Sequence, residues 1–350
     1  MGDRNLKYIV ILLCLLVFSG CATNLEIGGN RHHFGRVPQN IIWFQIAGLS
    51  NTHIPLAKYT NLPIESSFFE SAVCSGQTYD ANFKDLRPKA SHFFNAQVLS
   101  TKLLSGNMCT DFNSKLPIWR VFQEDKRKVS VLEIGATELN SLIALRDCDK
   151  NFTQDETFVF KRAPDRAFSD QLFEIEKDKP LLQGFYFEKN CDTSGKCKAT
   201  NFETMKYFIK NSFKVGKINF IQLRDYSYKK LINKNDAINI KEYLRELSKL
   251  ISWIQTNSNH REKSLIIISG AEPVGFNYPK SGKNWANFEQ SGIGLSYNNS
   301  ELMSPVFSWG PSAELFCGVM DNVDISKRVY NRFFQKTFQF DSIIESIKNR

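Results

Sequence analysis

Apolar and polar positions follow two alternating periods along most of the chain. "NIIWFQIAG" (40–48) is a nearly unbroken apolar run between Pro38 and Gly48, which predicts a buried strand. "KVSVLEIG" (128–135), "INFIQLRD" (218–225), "SLIIISG" (264–270) and "SPVFSWG" (304–310) predict further strands, the last followed by a turn and a helix. In "NIKEYLRELSKLISWIQTN" (239–257), Tyr243, Leu244, Leu247, Leu250, Ile251 and Ile254 recur at the helical period. "ESSFFESAVCSG" (65–76) predicts a short helix with Ser66 near its start and Gly76 at its end, and "ATELNSLIALRDC" (136–148) predicts another. This alternation predicts a three-layer α/β fold, with a mostly parallel central sheet covered by helices on both faces. Chemistry in such sheets lies at the carboxyl ends of the strands. Here those ends are Gly48, Glu133 to Gly135, Asp225, and Ser269 to Glu272.

The first residues break this pattern. Arg4 and Lys7 precede an apolar run, Tyr8 to Phe18, that is short for a membrane span and ends in small residues, as a secretory signal does. Phe18-Ser19-Gly20-Cys21 resembles a bacterial lipobox, in which the cysteine is lipidated and becomes the mature N-terminus. Residues 1–20 are therefore expected to be a signal peptide, 21–38 a polar tether and 39–350 the folded domain. Lipidated at Cys21, the chain would be anchored to a membrane rather than span it. Ala22 resembles the sorting pattern for the outer membrane, so the expected location is the outer membrane, facing the periplasm or the cell surface.

Composition narrows the choice of partner. The net charge is +9, and removing Asp3, Arg4 and Lys7 with the signal leaves 9 − 1 = +8. No long basic run is present, so a scattered lysine-rich surface accounts for the charge, although an anionic ligand or an envelope protein is a possible partner. No nucleic-acid-binding motif accompanies it, so no nucleic-acid partner is expected. Of eight cysteines, Cys14 leaves with the signal and Cys21 would carry lipid. The other six, Cys74, Cys109, Cys148, Cys191, Cys197 and Cys317, suggest disulfides in an oxidising compartment. The polar loop "CDTSGKC" suggests Cys191–Cys197 as one pair, and the remaining connectivity is open.

"SPVFSWGPSAELFCGVMDNVDI" (304–325) resembles the closing segment of alkaline phosphatases, where a Val-Pro-Val-Phe strand leads into Gly-Pro, a loop and a helix. "NIIWFQIAGLS" resembles that family's opening strand, and "ESSFFESAVCSGQTYD" its nucleophile helix, with Glu65 in place of an aspartate. The order of elements between them fits as well. The resemblance implies an alkaline-phosphatase-like fold over residues 40 to 335 and a site holding two zinc ions, usually a magnesium, and a serine that attacks phosphorus. The metals would lower the serine's pKa and stabilise the leaving group.

The family's ligands do not all have counterparts. Its strand-end aspartate falls on Ala47, an Asp-His pair on Ala271 and Glu272, and a histidine near Asn299. A further Asp and His fall on Asp225 and Lys229, and a glutamate near Gln222. The magnesium-side pair falls near Leu139 and Ser141, and Arg162 and Arg166 are candidates for the phosphate-binding arginine. Asp225 and Glu272 are thus the candidate metal ligands, and Ser66 is the candidate nucleophile. None of the five histidines (His32, His33, His53, His92 and His260) falls at a strand end suited to zinc. Without zinc, Ser66 would need a base, and no Gly-x-Ser-x-Gly elbow or His-Asp arrangement supplies one. Ser66 or Ser67 is then expected to cap its helix, whose N-terminus could still bind an anion. The expectation is a non-catalytic lipoprotein without a resident metal. The alternative is a phosphomonoesterase that uses Ser66 with zinc or magnesium at an altered site.

Overall fold

Every side chain of strand β1 (Asn40–Ala47) is buried, because sheet lies on both of its edges and helices on both of its faces. The computed structural model describes residues 37–58, 68–80, 85–102, 117–135, 157–162, 173–174, 184–189, 200–213, 219–256, 263–292 and 294–334. The other strands are β2 (Cys74–Tyr79), β3 (Lys128–Ile134), β4 (Thr157–Arg162), β5 (Phe173–Glu174), β6 (Gly184–Lys189), β7 (Asn219–Asp225), β8 (Ser264–Ala271), β9 (Gly275–Asn277), β10 (Ser296–Asn298), β11 (Met303–Trp309) and β12 (Gly318–Asp321). The helices are α1 (Ile54–Lys58), α2 (Phe68–Ser71), α3 (Ala90–Leu99), α4 (Ile118–Glu124), α5 (Asn201–Phe213), α6 (Ser227–Asn233), α7 (Ala237–Thr256), α8 (Gly282–Ser291) and α9 (Asp324–Phe334).

Ten strands form one sheet in the order β12-β2-β11-β8-β1-β7-β3-β6-β4-β5, and β9 and β10 form a small antiparallel pair. The run β8-β1-β7-β3-β6-β4 is parallel, as the strand–helix alternation predicts. Strand β11 departs from it, running antiparallel to both β8 and β2. Alternate side chains feed two cores. Ile42, Phe44 and Ile46 pack with α5 and α7 on one face, whereas Ile41 and Trp43 pack with α3, α4 and α9 on the other. The predicted stripe of α7 is buried in the first core, each large apolar side chain contributing about 1.5–3 kcal/mol before the entropy of ordering it.

The segment 65–76 differs from its expected form. Among the described residues helix α2 covers Phe68–Ser71, and Cys74 then opens β2, so Gly76 lies within a strand and ends no helix. A Cβ on Gly76 would come within 2.3 Å of the Phe316 carbonyl oxygen and 2.7 Å of that of Gly318. The glycine therefore permits the close approach of β12, its parallel neighbour. A disulfide joins Cys74 to Cys317 beside this contact, with their Cα atoms 5.1 Å apart, a normal span for such a bond. It fixes β2 to the start of β12 across 243 residues of chain, where cross-links typically contribute about 2–4 kcal/mol. Ser66, Ser67, Cys21, Cys191 and Cys197 lie outside the described residues, as do the predicted helix at 136–148 and the segment 1–36.

Candidate functional site at the carboxyl ends of the strands

On the α3 side of the sheet, apolar side chains give way to polar ones towards the carboxyl ends of the strands. Trp43 is followed on its face by Gln45, Phe220 by Gln222 and Arg224, Val131 by Glu133, and Ile267 by Ser269, all fully or almost fully buried. Helix α3 lies across them and adds Asn95 and Gln97. Gln45 Oε1 accepts from Gln222 Nε2 (2.6 Å) and Arg224 Nε (2.9 Å), while Gln45 Nε2 donates to Gln97 Oε1 (2.7 Å). Gln97 Oε1 also accepts from Ser269 Oγ (3.1 Å), which in turn accepts from Trp43 Nε1 (2.9 Å).

Arg224 is the cation of this network. Its Nη1 donates to Asn95 Oδ1 (2.8 Å) and its Nη2 to the Phe94 carbonyl (3.4 Å), and the guanidinium carbon stands 5.8 Å from the centre of the Phe94 ring. Burial pulls its pKa down from the ordinary arginine value, against the opposing influence of Tyr226 and of Glu133 on the adjacent strand. A buried charge is tolerated only when it is paired and hydrogen-bonded. Above the network, Ala47 and Ala271 sit side by side at the ends of β1 and β8, and Ala90, Phe93 and Phe94 of α3 cover them. Two of the mapped ligand positions are therefore apolar and sealed by aromatic rings.

Asp225 is occupied elsewhere. One carboxylate oxygen accepts from the Ser227 amide (2.7 Å) and hydroxyl (2.5 Å), and the other accepts from Tyr243 OH (2.7 Å). It ties the end of β7 to α6 and α7, is 1% exposed, and does not line the cleft described next.

A cleft of about 250 Å³ opens beside the end of β8, lined by Asp80, Arg87, Lys229, Glu272, Asn299 and Glu301 among others. It brings together three mapped positions: Lys229, Glu272 and Asn299. Glu272 has a left-handed backbone (φ +50°), uncommon for a residue with a side chain. One of its oxygens pairs with Lys229 Nζ, and the other accepts from the amide of Ala90 (2.8 Å), the first residue of α3. Glu301 accepts from the Ser50 hydroxyl. Asp80, at the end of β2, accepts from Ser304 Oγ with one oxygen, while its Oδ1 has no hydrogen bond of good geometry. Burial, and to a lesser degree the Glu272 charge, raises its pKa well above the usual carboxylate range, although the Ser304 hydroxyl and the Ser304 and Glu272 backbone oppose this.

His53 supports the cleft wall from behind. Its Nε2 donates to the Val274 carbonyl (2.7 Å), and its Nδ1 accepts from Tyr228 OH (2.7 Å) and the Ser50 amide (3.3 Å). It stacks on Phe276 with ring centroids 3.9 Å apart. Burial lowers its pKa to about 3, so the ring is neutral with both nitrogens engaged and no lone pair left for a metal. Its place after β1 offers no sequence signal for this role. Asp80 and Arg87 were likewise not legible as site residues, because no spacing rule relates them to Lys229 and Glu272.

The donor set can be tested against zinc. Each zinc normally takes at least three protein donors. Of the mapped positions among the described residues, only Asp225 and Glu272 carry carboxylates, the first consumed by Ser227 and Tyr243 and the second paired with Lys229. Among the described residues, no group of three or more His, Cys, Asp or Glu side chains is placed to hold a metal ion. These residues do not fit a zinc pair.

The sequence matches no protein-family model and no curated protein. Solved structures do share its fold. The alkaline phosphatase from the Antarctic bacterium TAB5 has 13% identity and a TM-score of 0.64, over 86% of this chain and 100% of that one. The Thermus thermophilus alkaline phosphatase has 9% identity and a TM-score of 0.61, over 94% and 99%. The lipoteichoic acid synthase LtaP from Listeria monocytogenes has 12% identity and a TM-score of 0.52, over 89% and 76%. Such likenesses establish an alkaline-phosphatase-like α/β fold, a fold that by itself fixes no activity.

Proposed function

We propose that this chain is a membrane-anchored envelope protein that uses an alkaline-phosphatase-like fold to bind rather than to hydrolyse. One observation carries this reading: Ala47 and Ala271, where the resemblance puts metal-binding carboxylates, lie under Phe93 and Phe94 beside a buried Arg224. An apolar side chain offers a cation no lone pair, and a guanidinium repels one. Lys229, aligned with a histidine ligand, pairs with Glu272, which of the two mapped carboxylates is the one that lines the cleft. Export and anchoring at Cys21 rest on the signal-like N-terminus, and the Cys74–Cys317 disulfide is in keeping with an oxidising compartment.

The test is hydrolysis of an aryl phosphate by the full-length protein in detergent, with added zinc and magnesium, beside Ser66→Ala. The expected outcome is the same negligible rate for both. Robust turnover by the wild type that is lost in Ser66→Ala would establish the phosphomonoesterase in its place.

A further inference from the structure

The cleft holds its own anion. Glu272 spans it between two donors, the Lys229 ammonium and the Ala90 amide, which is the first N–H of a ten-residue helix. Helix N-termini and ammonium groups both attract carboxylates and phosphates. The flanking backbone does not depend on this contact, since Gly48 N donates to the Ala271 carbonyl (2.8 Å) and Val274 N to the Gly48 carbonyl (3.2 Å). The Glu272 side chain can therefore leave without taking the end of β8 with it.

Two other lining residues differ in their reach. The Arg87 side chain is exposed on the rim and makes no hydrogen bond or ion pair among the described residues. Asp80, 2% exposed, keeps one oxygen without a well-formed hydrogen bond.

Resting on the non-hydrolytic reading above, we propose that Glu272 is a displaceable internal anion, and that the cleft takes a ligand bearing a phosphate or carboxylate group. The ligand's anion replaces the Glu272 carboxylate on Lys229 and Ala90 N–H, with Arg87 closing over it from the rim. No covalent step is involved. Affinity is set by competition, so weakening the internal anion strengthens binding of the external one.

The experiment is calorimetric titration of the full-length protein in detergent with inorganic phosphate and, separately, acetate, at constant ionic strength. Glu272→Gln keeps the shape and removes the charge, and Glu272→Gly suits the left-handed backbone should the first variant fold poorly. Both should bind the preferred anion at least about tenfold more tightly than the wild type, the gain expected on losing a competing charge-assisted bond. Adding Lys229→Gln to either should abolish the gain. Tighter phosphate than acetate binding would identify a phosphate-bearing ligand, and the reverse order a carboxylate. Equal affinities for wild type and both Glu272 variants, or a gain that survives Lys229→Gln, would overturn the proposal and mark Glu272 as a helix cap only. Release of the aryl alcohol from an aryl phosphate by the wild type would instead sink the non-hydrolytic reading, without altering the order of these affinities.

Discussion

Strands β7 and β8 both flank β1 and run parallel to it, yet their carboxyl ends have been put to opposite uses. At the end of β7, Arg224 and Asp225 point to opposite faces, are fully buried, and bond to groups of the protein itself. At the end of β8, Ala271 is sealed beneath Phe93, whereas Glu272 turns into an open cleft and holds a partly exposed lysine. The first end resembles a site converted to scaffold. The second retains room, charge and a removable occupant. The two ends thus differ in room and in the exposure of their partners, and not in the presence of charged residues.

Arg224→Met should have the largest effect on the difference between the two strand ends. If the β7 end is scaffold, the substitution removes the buried hydrogen bonds to Gln45 Oε1 and Asn95 Oδ1 and the positive charge that faces Glu133. Removing one partner of a buried charge network costs about 3–5 kcal/mol, which urea denaturation would register. A change below about 0.5 kcal/mol, the range of ordinary surface substitutions, would show that Arg224 does not organise this end.

Next in size is the pH response of the wall behind the cleft. His53 joins Tyr228, the neighbour of Lys229, to Val274, two residues beyond Glu272. Its pKa is about 3 when folded against 6.5 as the reference value, so the unfolded chain binds the proton first. Stability from this group is complete above pH 6.5 and falls by about 1.4 kcal/mol per pH unit down to about pH 3. Asp80 works the other way: its raised pKa favours the folded state below the ordinary carboxylate value and is lost as pH rises through its folded pKa. Comparing wild type with His53→Gln isolates the histidine. Between pH 6.5 and 5, the wild type should lose about 2 kcal/mol more than the variant. Equal slopes would contradict the assignment.

Much of the architecture was legible beforehand. The nearly continuous apolar runs at 40–48 and 264–270 identified β1 and β8, and the stripe from Tyr243 to Ile254 identified α7, because burial on both faces leaves a continuous run and burial on one face a periodic stripe. Of the polar side chains on one face of the strand ends, Gln222 and Ser269 were legible, whereas the parts played by Gln45 and Arg224 were not. Nor was their saturation by α3, because Asn95 and Gln97 meet them only through long-range packing. Gly76 was misread as a helix terminator because a glycine looks the same in sequence whether it supplies a turn or makes room for a neighbouring strand. The pairing of Cys74 with Cys317 could not be chosen among the connectivities of six cysteines, since 243 residues separate the two.

We infer that the described strand ends do not assemble a dinuclear metal site. The most direct test is the zinc content of the full-length protein, equilibrated with excess zinc, freed of unbound metal and measured by elemental analysis. Well below one tightly held zinc per chain is expected, unchanged in Asp225→Asn and Glu272→Gln, because neither carboxylate belongs to a converging donor set among the described residues. About two zinc ions per chain, as in two-metal phosphoryl-transfer sites, falling in those two variants, would contradict it.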